Sequence, residues 1–198
     1  MRRLGQPKRI DILVKSFRDV ANEHRHLDLK IIGCGQEEEN LRGLVKRLEL
    51  EDRVEFLGKQ DILTVYSHMR KALIHVCPSR TEGGGAVNLE AQACGCAVIG
   101  SRVGGIPEYI IDGETDLLFE SENVDDLTNK ITLLLNNDLL RNELTSNGIV
   151  CAQKFSINRI GTRYLDLYGE CLENYRFGSF VPWSDSTKNL EKEFELWK

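Results

Sequence analysis

Glu82 and Glu90 flank three consecutive glycines, Gly83, Gly84 and Gly85, in a stretch that reads as the passage from a strand into a helix. A turn without side chains exposes backbone N–H groups, and the helix behind it aims the positive end of its dipole at the same point. Together they form an anion site suited to a phosphate or a pyrophosphate. With Glu90 helical and Glu82 ahead of the helix, a rise of about 1.5 Å per residue sets the two carboxylates roughly 10–12 Å apart. That exceeds the roughly 5 Å of a retaining hydrolase pair and lies just past the inverting range. It does match two polyols separated by a diphosphate, one carboxylate accepting from sugar hydroxyls and the other from ribose hydroxyls. A glycine run alone would be an ordinary strand–turn–helix with surface glutamates. The strand ending in Cys77-Pro78-Ser79, the paired glutamates and the second glycine pair, Gly104-Gly105, favour a ligand site.

The elements that must hold these residues alternate in type. Ile10, Leu13, Phe17, Val20 and Ala21 recur at helical spacing within 9–24, and 27–33 is a short apolar run that reads as a buried strand. Helical periodicity returns over 37–50. A strand is predicted at 54–58, a helix near 60–71, a strand at 72–78, a helix at 85–94 and a strand at 96–101. Pro107 suits the first turn of a short helix at 105–110. Strands alternating with helices over short connections predict an α/β fold: a Rossmann-like, doubly wound, mostly parallel sheet covered on both faces. Ligands in such sheets bind beyond the carboxyl ends of the strands, where the glycine turns lie. The last third predicts helices only. One is opened by Asn123 with Asp126 three residues on, and further helices fit 138–152 and 156–175.

Bulk properties narrow the function classes. Lys and Arg number 26 against 31 Asp and Glu, a net charge of −5 that argues against a dedicated nucleic-acid binder. No run approaches the roughly 18 apolar residues needed to span a bilayer, and no apolar region follows the basic N-terminus as in a secretory signal. The six cysteines form no CxxC pair and read as free thiols of a reducing compartment. His75, inside an apolar strand, reads as a core residue, and Glu37, Glu38 and Glu39 as a solvated first helical turn.

Residues 79–110 resemble the retaining group 1 glycosyltransferases, family GT4, which have the GT-B fold. The resemblance rests on Pro78-Ser79, Glu82, Gly83, Glu90-Ala91, Ala93, Gly95, Gly104-Gly105 and Glu108 at the family's spacing. Other landmarks follow in order. Arg3-Leu4 with Lys8 looks like the R-L-x-x-x-K element whose cations hold the donor diphosphate. Gly33 and Gly35 match the turn near the nucleoside, and the loop around Lys59 and Gln60 matches the one beside the base. Residues 155–172 resemble the closing helix, so the likeness covers about residues 2 to 175. It implies that Glu82, Arg3 and Lys8 are catalytic, that the amides of Gly83 to Gly85 serve sugar or phosphate, and that Glu90 holds the ribose. The donor is then a UDP- or GDP-linked hexose. Fixed cations stabilise the leaving diphosphate as it forms, with no cofactor and no metal, since no Asp-x-Asp element is present. The all-glycine turn, the polar Asn88 and Gln92 in place of an apolar residue depart from the family's pattern.

The same resemblance implies a two-domain enzyme. Residues 1–175 would form the nucleotide-sugar-binding C-terminal half. Residues 176–198, with Trp183 and Trp197, would be a tail docking on an N-terminal acceptor-binding domain absent from this sequence. The acceptor expected from the family is a glycan or a lipid-linked glycan, in the cytoplasm or at the cytoplasmic face of a membrane. The alternatives are a non-catalytic nucleotide-sugar-binding module and another GT-B enzyme such as an epimerase or a phosphorylase. A dinucleotide-dependent oxidoreductase ranks last. The turn at 33–35 lacks a third glycine, and no acid ends a matching second strand.

Overall fold

A computed structural model describes residues 2–176, with the side chains of Arg2, Arg3 and 174–176 outside the description. The chain divides into two compact units, Met1–Gln153 and Lys154–Lys198. In the first unit strands and helices alternate: β1 (Arg2–Arg3), α1 (Ile10–Glu23), β2 (Leu29–Cys34), α2 (Glu38–Arg47), β3 (Val54–Gly58), α3 (Ile62–Lys71), β4 (Ile74–Cys77), α4 (Ala86–Ala93), β5 (Ala97–Ser101) and β6 (Leu117–Phe119). The helices α5 (Val124–Asn136) and α6 (Asp138–Lys154) follow, and α7 (Ile157–Arg176) belongs to the second unit. Short 3-10 turns occupy Gln6–Lys8 and Ile106–Glu108.

All strand pairings are parallel, in two three-stranded sheets ordered β1-β2-β3 and β4-β5-β6. Each sheet is ordered outward from its first strand, and the loops that leave β1 and β4 are joined by the Arg80 amide donating to the Pro7 carbonyl. Open α/β sheets take their ligands in the crevice beyond the carboxyl ends of their strands, where such loops meet. The register pairs Arg3 with Cys34, Ile74 with Ala97 and Ile99 with Leu117. Every residue of β5 is buried, as expected of a central parallel strand covered on both faces.

Three apolar clusters hold the layers together. Helix α1 serves two of them. Ile12, Leu13 and Val20 pack with Ile99, Leu117, Phe119 and the α5 residues Leu127, Ile131 and Leu134. Val14, Phe17 and Ala21 pack with Leu4, Ile31, Leu41 and Val45. The third cluster joins Val65 and Met69 of α3 and Ala91 of α4 to Cys77, Val98, Ile106 and Leu118. Burial of each large side chain contributes on the order of 1.5–3 kcal/mol, so α1 is the element whose loss would open both cores. Ser16, fully buried on the same helix, donates to the Val124 carbonyl at 3.0 Å and ties α1 to α5.

The predicted Rossmann-like α/β architecture is observed, with helix and strand ends shifted by a few residues from the sequence expectation. Asn123 caps α5 as expected, its side chain accepting from the Asp126 amide. Two strands were not anticipated. β1 is two residues long and β6 three, too short to show alternation or a periodic run. Among the cysteines, Cys77, Cys96 and Cys151 are buried and Cys34 and Cys171 exposed, and all six are free thiols. Among the described residues no helix is long and apolar enough to cross a membrane.

Candidate functional site

The site forms where the ends of β1 and β4 face each other. After β1, Pro7 sits in the first turn of the 3-10 segment and fixes its entry, and Lys8 ends it. The Pro7 carbonyl accepts the Arg80 amide at 2.8 Å, which binds this turn to the loop that leaves β4. Across that junction Lys8 Nζ donates to Glu82 Oε2 at 2.8 Å, with the two side chains only 24% and 14% exposed. The same carboxylate oxygen accepts from Ser79 Oγ at 3.2 Å, and Ser101 Oγ donates to the Ser79 carbonyl at 2.5 Å. Lys8 and Glu82, 74 positions apart, thus meet because the loops that leave β1 and β4 come together.

The backbone of Glu82 is held from the other side by the second glycine pair. The Gly105 amide donates to the Glu82 carbonyl at 3.2 Å. A side chain on Gly104, whose φ is +51°, would run into that carbonyl oxygen, and one on Gly105 would lie 3.2 Å from Gly84 Cα. Glycine is therefore required at both positions for the two turns to stack. Gly83 and Gly84 are exposed, and Gly85, at φ +61°, is buried and caps α4. Donors, cation and carboxylate are consequently concentrated at the first turn of α4, the arrangement expected of a site for an anionic, polyhydroxylated ligand.

The remaining predicted residues lie at the same strand ends with differing local roles. Arg3 belongs to β1 and pairs with Cys34, while its side chain lies outside the described residues. Gly33, at φ +143°, is in β2 opposite Arg2. Gly35 follows that strand, and a side chain on it would collide with the Leu4 backbone, so it lets β1 approach β2 closely. Glu90 is half-buried in the second turn of α4. Lys59 is exposed in the loop between β3 and α3, and Gln60 there donates its Nε2 to the Leu57 carbonyl at 2.6 Å. Lys8, Glu82 and Gly83–Gly85 are thus brought into one contact network. Among the described residues, Gly35 instead lies against Leu4 and Gln60 bonds to Leu57, both outside that network.

Two supporting networks carried no clear sequence signal. Arg9, in the left-handed region at φ +47°, pairs with Asp11 and with Glu122, and Arg80 pairs with Glu122 at 2.6 Å. These ion pairs bracket the turn that carries Lys8. Deeper in, Gln92 Nε2 donates to the Tyr109 carbonyl at 3.0 Å and to Asp116 Oδ2 at 2.8 Å. Asp116 Oδ1 accepts the Val98 amide at 2.5 Å. Burial raises the Asp116 carboxyl to about 7, with the Gln92 and Val98 bonds opposing the rise. Burial likewise pushes the Cys96 thiol up to about 12, with Asp116 contributing. The one prior sign of this network was Gln92 itself, an amide at a helix position that reads as apolar.

A parallel α/β sheet with a cation, a carboxylate and a glycine-capped helix gathered in the loops beyond its strands is the arrangement in which open α/β folds take ligands. Residues 1–150 match the family of glycosyl transferases group 1, and the chain belongs to that family. It is 40% identical over 149 residues to an uncharacterised glycosyltransferase of Methanocaldococcus jannaschii, covering 75% of this chain and 41% of that protein. Among solved structures, sucrose-phosphate synthase from Thermosynechococcus elongatus superposes with a TM-score of 0.78 at 29% identity, over 86% of this chain and 44% of that one. S. aureus TarM, solved in complex with UDP among other ligands, superposes with a TM-score of 0.76 at 26% identity, over 84% of this chain and 34% of that one. The chain spans less than half the length of the curated relatives it matches.

Proposed function

We propose that this chain is the donor-binding half of a retaining glycosyltransferase that moves a hexosyl group from a UDP- or GDP-sugar to a glycan or lipid-linked acceptor. The observation that carries the reading is the Lys8–Glu82 pair at 2.8 Å, beside a glycine-capped helix and between the loops that leave β1 and β4. Lys8 offers a fixed positive charge where a leaving diphosphate would develop negative charge, and Arg3 is its expected companion. Glu82 accepts from the hydroxyls of the transferred sugar, with Ser79 keeping the carboxylate in place when Lys8 turns to phosphate. Glu90, one turn along α4, takes the ribose hydroxyls. The backbone amides of the Gly83–Gly85 turn serve sugar or phosphate, and the loop at Lys59 and Gln60 lies against the base.

In the transfer, the bond from the anomeric carbon to the diphosphate oxygen breaks and a bond to the acceptor hydroxyl oxygen forms on the same face. The acceptor proton passes to the departing phosphate oxygen, so no protein nucleophile, cofactor or metal is required. The acceptor is bound by a second, N-terminal domain outside this sequence; residues 177–198 of the tail expected to dock there lie outside the described residues. The UDP in the TarM complex supports a nucleotide-sugar donor. Six free thiols support a reducing compartment, the cytoplasm or the cytoplasmic face of a membrane.

Proton NMR of the product tests this reading, with the chain joined to its acceptor domain and supplied with a nucleotide sugar in EDTA. The expected product keeps the donor's anomeric configuration, forms at an EDTA-independent rate, and forms about 10²-fold more slowly with Glu82→Gln, the scale of a lost stabilising contact at a reacting centre. An inverted product, or a rate abolished by EDTA and restored by a divalent cation, overturns it.

A further inference from the structure

Asn88 lies one helical turn before Gln92, on the buried side of α4. The two amides are treated differently by the fold. Gln92 spends its Nε2 on the Tyr109 carbonyl and on Asp116, and so locks α4 to the core. Asn88 is 0% exposed, and neither its Nδ2 nor its Oδ1 has a hydrogen-bond partner. A buried carboxamide with both ends unsatisfied destabilises the ligand-free protein, and natural sequences retain such groups where another state uses them. Its place indicates which state that is. Asn88 Nδ2 stands 3.1 Å from the point a Gly85 side chain would occupy, and the Glu82 stem is 3.5 Å from the same point. The amide therefore lies beneath the glycine turn, on the side where the stem of Glu82, the residue assigned to the transferred sugar, also packs.

The outer side of that turn is open, while its inner side, at the Gly83 carbonyl and Gly84 Cα, rests against Gly105. Nothing comes within 4 Å of a side chain placed on Gly83, and only the Tyr109 hydroxyl, at 3.9 Å, approaches one on Gly84. Three consecutive glycines also allow backbone conformations closed to other residues. We propose that Asn88 is a sugar-reading residue of the donor site: when the hexosyl group seats against Glu82, the Gly83–Gly85 turn shifts and the Asn88 carboxamide hydrogen-bonds the hexosyl oxygens. One amide supplies both a donor and an acceptor, so it recognises a polar substituent of either kind on the sugar face it meets. The inference rests on the donor-site reading, and goes beyond it by naming a residue that reads the sugar and not the nucleotide.

Asn88→Leu separates this role from a structural one. Leucine keeps asparagine's branched outline of four side-chain heavy atoms and has no polar atoms, so the variant's melting temperature without ligand should rise. Calorimetric titration of the full chain with UDP and UDP-glucose, or with GDP and GDP-mannose if guanine is the base, then gives the increment the sugar adds. In the wild type the nucleotide sugar should bind more tightly than the nucleotide. Asn88→Leu and Asn88→Ala should each cut that ratio by about fivefold, the scale of one hydrogen bond, and leave nucleotide affinity unchanged. Equal weakening of nucleotide and nucleotide sugar, an unchanged ratio, or a lowered Asn88→Leu melting temperature would each overturn the proposal. If the wild type binds neither nucleotide series, the donor-site reading fails first and this inference with it.

Discussion

Gly104→Ala puts the stacking of the two glycine turns under direct strain. The added methyl carbon would press on the Glu82 carbonyl oxygen, and would lie 3.0 Å from that carbonyl's carbon and 3.5 Å from the Glu82 nitrogen. Ordinary carbon contacts are about 3.5–4.0 Å, so one turn must withdraw by roughly an ångström. Two contributions sum. An alanine at φ +51° costs about 1–2 kcal/mol, and losing the Gly105-to-Glu82 hydrogen bond costs about 0.5–1.5 kcal/mol more. A destabilisation of about 1.5–3.5 kcal/mol corresponds to roughly 3–14 °C in melting temperature for a unit of this size. Gly113→Ala is the matched control. Its φ is +80° and nothing lies within 4 Å of an added side chain, so only the backbone contribution applies. Thermal melts and nucleotide-sugar titrations of both variants should therefore separate. Gly113→Ala loses about 1–2 kcal/mol with donor affinity intact. Gly104→Ala loses more, and its affinity falls at least about tenfold, because moving Glu82 by an ångström spoils its aim at the sugar. Equal melts and equal affinities in the two variants would refute the claim that the second glycine pair positions Glu82.

Three further outcomes follow from the same contacts. Lys8→Met should weaken nucleotide diphosphate binding by about tenfold or more, the scale of a charge-assisted contact, and flatten its salt dependence in titrations at low and high ionic strength. The folded Asp116 carboxyl keeps its proton up to about pH 7, whereas the unfolded one releases it near 3.8. Between those values the unfolded state binds fewer protons, so stability falls as pH rises, by at most about 4 kcal/mol, and urea melts of Asp116→Asn should lose that slope. Asn123→Ala removes the acceptor for the Asp126 amide and should cost about 1 kcal/mol in the same urea melts, without touching donor affinity.

The layered α/β fold was legible because each of its longer elements carries its own period and ends in a glycine, proline or capping residue. β1 and β6 escaped because two and three residues are too few to show a pattern, and because β6 is buried throughout and so has no polar alternation to display. At the site, Glu82 and the glycine turn could be read locally, since spacing along one turn and one helix is itself geometry. The partnership of Lys8 with Glu82 could not, because they lie 74 positions apart and only the meeting of the loops that leave β1 and β4 joins them. The family's register alone singled out Lys8. Asp116 was hidden for a related reason. It follows a run of polar residues and a glycine, Asp112 to Thr115, and only the fold brings its carboxylate to the Val98 amide and the Gln92 side chain. Asn88 and Gln92 did stand out as polar residues where the family's pattern is apolar. What sequence could not supply was their difference: Gln92 is bonded into the core and Asn88 is left without a partner beneath the turn.

The most direct test is calorimetric titration of the chain with UDP, GDP, UDP-glucose, UDP-N-acetylglucosamine and GDP-mannose, repeated with Lys8→Met and Glu82→Gln. The expected result is binding of one nucleotide series, weakened in its diphosphate part by Lys8→Met and in its sugar increment by Glu82→Gln. Binding that neither substitution alters, or no binding of either series, would contradict a donor site built on the Lys8–Glu82 pair.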